Sequence, residues 1–281
     1  MKRKRRRVSI LFFLSFCFFL AVMDYPFVAR IFNSRHQGSV VMDYQRDMSR
    51  AAEEEKETEW KRAASYNEEL AAGMGESFGE YGMENPAYGG TLNLNGDGIM
   101  GMIEIPAIHV NLPIYHGTEE DVLQKGVGHL EGSSLPVGGE DTHVCISAHR
   151  GLVGKKMFTD LDQLKEGDIF LLHVLEQELC YRVKRTYVVR PDETESLLIR
   201  PGEDLVTLIT CTPYGINSHR LMVEGERIPY TEEVEEEIAV KAEEQNIRDW
   251  WWLGLSVILF LFMLFLLLRY NLQGRKAEAR R

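Results

Sequence analysis

The apolar positions of this chain fall into two long end runs and many short runs between them. Residues 8–23 form one long run, closed by Asp24 and Pro26, and residues 250–268 run 19 positions without a charge. Nineteen helical residues span about 28 Å, close to the ~30 Å hydrocarbon core of a bilayer. The pattern predicts an N-terminal membrane anchor or signal segment and a transmembrane helix at 250–268.

The region between the end runs changes character twice. Residues 43–72 are rich in Ala, Glu, Lys and Arg with a broken apolar stripe, which predicts a helix lying on a domain. Glycines and a proline punctuate residues 73–98, which predicts a loop. Short helices are predicted at 119–125 and 156–164.

Short apolar runs rich in β-branched and aromatic residues predict the strands of the central region. These strands are 99–105, 108–115, 142–149, 169–175, 179–189, 205–211 and 221–227, with 126–130 as a short additional one. Many strands and few helices over roughly 130 residues indicate a closed, antiparallel-rich β-barrel.

The domain plan follows from these patterns and has six segments. In order they are a basic segment with the N-terminal anchor (1–32), a helix and loop region (33–98), the barrel (99–230), an acidic linker helix (231–249), the transmembrane helix (250–268) and a basic tail (269–281).

The charge distribution predicts on which side of the membrane each segment lies. Residues 2–7 and the tail after 268 are basic, so the positive-inside rule predicts that both termini are cytoplasmic and that the middle is outside the cell. Residues 33–249 carry 20 Lys and Arg against 41 Asp and Glu, a net charge of about −21. Such an acidic surface argues against nucleic acid as a partner.

The four cysteines predict neither a metal site nor a disulfide framework, because no CxxC pair or Cys/His metal spacing occurs. Cys17 lies in the first apolar run, and Cys145 and Cys180 lie in strand-like runs that suit core residues. Cys211 differs because it ends a strand.

Cys211 closes the apolar run 205–210, and Pro213 and Gly215 then turn the chain. Arg220 opens the next strand and can point into the same space. A cation near a thiol favours the thiolate, which is the nucleophile. A lone cysteine after an apolar strand is nevertheless more often a small core residue, so the surrounding pattern decides.

That pattern resembles a known family. The run Thr207-Leu208-Ile209-Thr210-Cys211, followed by Arg220, is similar to the signature of the sortases, which are cysteine transpeptidases on the outside of Gram-positive cells. His149 closes another strand in Ser147-Ala148-His149-Arg150. Residues 101–106, 112–117 and 126–132 agree as well, and together they resemble class C, the pilin-polymerising sortases.

The resemblance implies a mainly β fold: an eight-stranded sortase barrel with short helices, an N-terminal helix and lid, and two flanking transmembrane helices. It implies that Cys211 attacks the threonine carbonyl of an LPxTG-like sorting signal and forms a thioacyl-enzyme. His149 would be the general acid and then the base, and Arg220 would stabilise the substrate carbonyl or the oxyanion. The acyl group would pass to a pilin lysine, with no metal or organic cofactor.

The resemblance also implies a lid over the cleft between residues 73 and 98. Class C lids usually carry an Asp-Pro-aromatic motif, which this chain lacks. Glu76 and Phe78 are the nearest equivalents, and Asn85-Pro86-Ala87-Tyr88 is a second candidate, closer to the first barrel strand.

Three rival functions remain to be weighed. One is a sortase that attaches proteins to peptidoglycan, and another is a non-catalytic, membrane-tethered pilus assembly factor. A papain-like hydrolase is disfavoured because its cysteine precedes its histidine, whereas His149 precedes Cys211 here. His219 neighbours Arg220, but adjacent strand residues point to opposite faces, so His149 is the favoured acid–base residue.

Overall fold

The structure, a computed structural model, describes residues 2–73, 86–152 and 154–279. The chain has two compact units: a barrel unit, Asn33–Ala242, and a terminal unit, Met1–Phe32 with Glu243–Arg281. The described helices are α1 (Lys2–Arg50), α2 (Glu53–Gly73), α3 (Glu120–Leu123) and α4 (Glu232–Ala279). The strands are β1 (Ile99–Ile105), β2 (Val110–His116), β3 (Val127–His129), β4 (Thr142–Ser147), β5 (Ile169–Val174), β6 (Gln177–Val189), β7 (Asp204–Thr212) and β8 (His219–Ile228).

The eight strands close into a barrel in the order β1-β2-β3-β4-β7-β8-β6-β5. The pairs β2/β3 and β4/β7 are parallel, and the other six pairs are antiparallel. Each predicted strand, including the short one at 126–130, has its counterpart within a few residues. The prediction of a mainly β, eight-stranded barrel is confirmed.

Alternation along β4, β7 and β8 sorts their side chains into two apolar layers. One layer belongs to the main core and includes Val144, Ile146, Val206, Leu208, Leu221 and Val223. The other is a smaller cluster of Cys145, Leu197, Ile209 and Met222, packed with Leu130, Tyr187 and Val189. Leu197 comes from the connection between β6 and β7, which therefore covers part of this second face.

Helical predictions in the barrel unit were less accurate. The single helix predicted at 43–72 is two helices, because α1 ends at Arg50 and Ala52 O accepts from the N–H groups of both Glu55 and Lys56 to begin α2. Three glutamates in the first turn of α2 suit that helix start.

The helix predicted at 156–164 is wrong: that stretch contains only a 3₁₀ turn, Leu161–Gln163. Met157 adopts a left-handed backbone with φ 41°, which an α-helix cannot include. The Phe158 N–H donates to His149 O at 3.1 Å instead of to a carbonyl within a helix. The segment is therefore shaped by its contact with the end of β4.

The N-terminal helices lie against the barrel through polar contacts as well as apolar ones. The buried Tyr44 hydroxyl accepts from Leu175 N at 3.2 Å and donates to Met100 O at 3.3 Å. The Asn67 side chain accepts from Leu135 N at 2.7 Å and donates to Leu135 O at 3.0 Å. These bonds join α1 and α2 to the strands and loops of the barrel unit.

The terminal unit is helical. Within it, Ser256 Oγ donates to Asp24 Oδ2 at 2.8 Å, and the rings of Phe13 and Phe260 lie 6.1 Å apart. In the part of the chain that the structure describes, no helix combines the length and the apolar character needed to cross a membrane. The two membrane segments therefore stay predictions.

Candidate active site

Cys211 and Arg220 lie directly opposite each other across the antiparallel pair β7/β8. Directly opposed residues of such a pair project to the same face, so both side chains share one side of the sheet. β7 is buried from Leu205 to Thr210 and becomes half-buried at Cys211. The thiol therefore lies where the barrel wall reaches solvent.

His149 reaches the same place through the parallel pair β4/β7. The register aligns Ser147 with Ile209, and the contact continues past the strand end: Ala148 N donates to Ile209 O at 3.1 Å. Thr210 Oγ1 then donates to Ala148 O at 2.8 Å. These two bonds carry the β4/β7 contact one residue past Ser147, so the chain that leads to His149 runs beside the end of β7 that bears Cys211.

The floor next to these residues is apolar. Ile209 lies two residues before Cys211 on β7, and Met222, its partner, lies two residues after Arg220 on β8. Both share the face of Cys211 and Arg220 and are buried in the second apolar cluster. A thiol beside an apolar floor and a cationic side chain is the environment in which nucleophilic cysteines occur.

Arg220 keeps most of its donors available. Only its Nη1 donates hydrogen bonds within the described residues, to Asn217 O at 3.3 Å and to His219 O at 3.2 Å. No ion pair of Arg220 occurs in residues 2–73, 86–152 and 154–279. The guanidinium is thus oriented by its own loop and not neutralised by a carboxylate there.

Glu120 is a neighbour of His149 that the sequence did not reveal. Its Oε1 lies 3.3 Å from the buried His149 Nε2, without the angles of a hydrogen bond. Gln124 Nε2 donates a hydrogen bond to the same oxygen at 2.7 Å. This bond, followed by the charge of the nearby His149 ring, lowers the pKa of the Glu120 carboxyl. The sequence predicted this short helix but gave no signal of what it faces, 29 positions from the histidine.

The competing histidines have other partners. His219 is exposed, pairs with Thr212 and contacts Ser218 Oγ at 2.9 Å. His143 is buried, with its ring nitrogens 2.9 Å from Leu198 O and 2.8 Å from Thr207 Oγ1, and burial lowers its pKa.

The remaining described cysteines of the barrel unit are core residues, as their strand positions predicted. Cys145 and Cys180 are both buried. Burial raises the pKa of the Cys145 thiol far above its usual range and that of Cys180 to about 11. Cys211 alone of these three is half-buried.

The lid candidates Glu76 and Phe78 lie outside the described residues, so their assignment stays a prediction. Tyr88, from the second candidate segment, is buried. Its hydroxyl accepts from Gly117 N at 2.9 Å and lies 3.0 Å from His129 Nδ1. These bonds join Tyr88 to the barrel.

Neither a group of metal ligands nor the cavity beside α2 coincides with this site. Across the described ranges, no three His, Cys, Asp or Glu residues are arranged to hold a metal ion. An open cavity of about 700 Å³ lies between α2 and residues 138–142. Cys211, His149 and Arg220 do not line it.

A family comparison agrees with this geometry: residues 103–228 match the family described as the sortase domain. Among curated proteins, the chain is 33% identical to sortase D of Bacillus subtilis over 131 residues, which is 46% of this chain and 63% of that protein. The chain spans less than two thirds of the length of the curated relatives it matches.

Solved structures match over a longer range. Sortase C of Streptococcus pneumoniae, described with its pilin substrate specificity, is 45% identical; the match covers 69% of this chain and 98% of that one, with a TM-score of 0.63. Sortase C of Clostridium perfringens, solved with the C-terminal cell wall sorting motif, is 46% identical over 68% of this chain and 99% of that one, with a TM-score of 0.59.

Proposed function

Because this chain belongs to the sortases, a family of cysteine transpeptidases, we propose that it joins pilin subunits. It cleaves an LPxTG-like sorting signal between threonine and glycine and transfers the threonine acyl group to a lysine amine of another pilin. The observation that supports the proposal is the direct pairing of Cys211 with Arg220 across β7/β8, at the strand end toward which the β4/β7 pairing leads the chain before His149.

The first step forms a thioester. The Cys211 sulfur attacks the threonine carbonyl carbon, and the tetrahedral intermediate then breaks its bond to the glycine nitrogen. An amine is a poor leaving group unless it gains a proton, and His149 donates that proton. The glycine peptide departs and the threonine stays bound to Cys211.

The second step reverses the roles. His149 removes a proton from the incoming lysine amine, which attacks the thioester carbon. The carbon–sulfur bond breaks and an isopeptide bond forms. Cys211 leaves as the thiolate while His149 keeps the proton from the amine, which restores the pair that began the first step. No oxidation or reduction occurs, so the protein residues supply all the groups that the reaction needs.

Arg220 stabilises the oxygen that becomes negative in both steps. Its planar guanidinium presents several donors in fixed directions, and the contacts to Asn217 O and His219 O use only Nη1. The remaining donors serve the oxyanion. Glu120 Oε1 lies 3.3 Å from His149 Nε2, beside the ring that carries the proton.

Pilin is the preferred acceptor because the solved relatives that cover most of this chain are class C sortases, among them the pneumococcal enzyme described with its pilin substrate specificity. Attachment of proteins to peptidoglycan is the second candidate. It is supported by the match to sortase A of Streptococcus agalactiae, at 31% identity over 41% of this chain and 47% of that protein.

Product analysis distinguishes these functions. The enzyme is incubated with an LPxTG-type peptide and equal amounts of a lysine-bearing pilin fragment and a peptidoglycan stem peptide, and the products are identified by mass spectrometry. The proposal predicts an isopeptide with the pilin lysine. Transfer mainly to the stem peptide would establish the anchoring function instead, and absence of any Cys211-dependent cleavage would leave a non-catalytic assembly factor.

The proposal places the barrel unit outside the cell, with residues 8–23 and 250–268 in the membrane and both termini in the cytoplasm. It is supported by the basic ends and by exposed apolar side chains in the terminal unit, such as Leu11 at 67% and Trp251 at 74% exposure. A reporter that is active only outside the cytoplasm, fused after the C-terminus, should be silent. An active reporter would place the tail outside.

A further inference from the structure

We propose that Arg150 is a positioning residue that holds His149 beside Cys211 by joining the ends of β4 and β7. This inference rests on the proposed transpeptidase function, because it concerns the proton donor of that reaction. Arg150 follows His149 in the chain, and its side chain is only 10% exposed, which is unusual for an arginine at the end of a sheet.

A direct hydrogen bond joins the two chain segments that bear His149 and Cys211. The β4/β7 pairing ends at Ser147 opposite Ile209, and Ala148 N still donates to Ile209 O at 3.1 Å. Further along, Arg150 Nη1 donates to Thr212 Oγ1 at 3.1 Å. The residue after His149 is therefore bonded to the residue after Cys211.

A second hydrogen bond fixes the orientation of the Arg150 guanidinium. Arg150 Nη2 donates to Asp162 Oδ2, in the 3₁₀ turn Leu161–Gln163. One planar group thus joins three elements: the end of β4, the end of β7 and the 3₁₀ turn. A lysine carries the same charge on one nitrogen and cannot reproduce two donors with fixed geometry.

The backbone around His149 is held on its other side by the segment that follows it. Phe158 N donates to His149 O at 3.1 Å, and Gly151 N donates to Thr159 Oγ1 at 3.1 Å. Gly151 has φ 78°, and a Cβ there would lie 2.6 Å from the Tyr214 ring, so the turn is close-packed. The Arg150–Thr212 bond ties this packed turn to the strand that bears Cys211.

The positioning role of Arg150 can be measured because only some leaving groups need the proton that His149 donates. A displaced imidazole protonates the leaving amine poorly, whereas attack by Cys211 itself is unaffected. An amide substrate needs that proton, but an ester with a phenol leaving group does not, because phenolate departs as an anion. Loss of positioning should therefore slow the amide and spare the ester, which a general loss of structure would not do.

Two matched substrates test the inference: an LPxTG-type peptide, and the same peptide with the threonine carboxyl esterified to a phenol. Arg150→Lys should lower kcat for the amide about 10- to 100-fold, since small misplacements of a catalytic group cost this much, with KM nearly constant. The initial burst of phenol from the ester, which reports acylation before His149 acts as a base, should keep its rate within about threefold. Asp162→Asn and Thr212→Val each remove one arm and should produce the same amide-selective loss, smaller in size.

Arg46→Lys is the matched control, because Arg46 pairs with Asp43 at 2.9 Å in α1 and should leave both rates unchanged. Equal loss on both substrates, or full activity of Arg150→Lys on the amide, overturns the positioning role. If Arg150→Lys does not fold, Thr212→Val and Asp162→Asn decide by the same criterion. A wild-type enzyme that cleaves neither substrate would overturn the proposed function itself.

Discussion

Strand β8 carries two charged residues on one face that have opposite surroundings. Glu224 is fully buried; its Oε2 accepts from Arg185 Nη2 at 2.7 Å, and its Oε1 lies 2.6 Å from Arg200 Nη2. Arg220, four residues earlier, has no carboxylate partner among the described residues and faces Cys211. One end of the strand pair is covered by the β6–β7 connection, and the other is open.

This difference separates stability from reactivity along one pair of strands. A buried charge has to be paired, because an unpaired one is strongly destabilising. A group that stabilises a transition state must instead keep donors available until charge develops on the substrate. Glu224 meets the first requirement and Arg220 the second, so mutations at the two ends should affect different measurements.

The cysteines on this face should show the largest contrast. Cys145 lies at the covered end, in the apolar cluster with Ile209 and Met222, and burial raises its pKa. Alkylation of Cys145 requires opening of the protein, so we expect Cys211 to react at least ~10³-fold faster near neutral pH. Peptide mapping after a time course of iodoacetamide treatment measures both rates, and comparable rates would show that the two ends are equally accessible.

Arg220→Lys should have the next largest effect. It retains the charge but loses the planar donors, and we expect kcat to fall by about 10²–10³-fold, the usual cost of losing an oxyanion donor. Thermal unfolding should be nearly unchanged, because this end contributes little to stability. Normal turnover would mean that Arg220 is not the oxyanion residue.

Glu224→Gln should lower stability more than turnover, whereas Arg220→Lys should lower turnover more than stability. We expect the free energy of unfolding to fall by about 1–3 kcal/mol, because two arginines lose their shared carboxylate. Glu226→Gln is the control on the same strand: its carboxylate is 50% exposed and lies 3.2 Å from Lys184. That surface pair should contribute less than ~1 kcal/mol. Equal effects of the two changes would remove the distinction between covered and open positions.

The smallest expected effect is the pH dependence of the difference in unfolding free energy between wild type and Glu224→Gln. Burial raises the pKa of Glu224, but the hydrogen bonds and charges of Arg185 and Arg200 outweigh it, so the pKa lies below the usual 4.5. A lowered folded-state pKa gives stability that is present above 4.5 and is lost as pH falls further. The stability gap between wild type and Glu224→Gln should therefore shrink in acid; a gap that grows would contradict the pairing.

Sequence patterns predicted the strands well because their apolar runs are short, separate and end at turns. Motifs at strand ends also predicted Cys211, His149 and Arg220 as the site residues, and their roles stay a proposal. The parallel pairing of β4 with β7 could not be read from them, although it joins segments 62 positions apart. The contact of Arg150 with Thr212 follows that pairing. The contact of Glu120 with His149 was missed because it depends on how β2, β3 and β4 pair.

The helix predicted at 156–164 was wrong because a local pattern was overruled by a distant contact. The sequence there has enough apolar and charged positions to suggest a helix, but its backbone bonds to the end of β4. The same contact holds His149, so the error lies next to the candidate active site, where tertiary requirements outweigh local propensity.

The central claim, that Cys211 at the open end of this face is the nucleophile, is tested most directly by trapping the acyl-enzyme. Wild type and Cys211→Ala are incubated with an LPxTG-type peptide without an acceptor, and their intact masses are measured. We expect that wild type alone gains the mass of the peptide through threonine, on Cys211, and that hydroxylamine releases it. The same adduct on Cys211→Ala, or on another residue of the wild type, would contradict the claim.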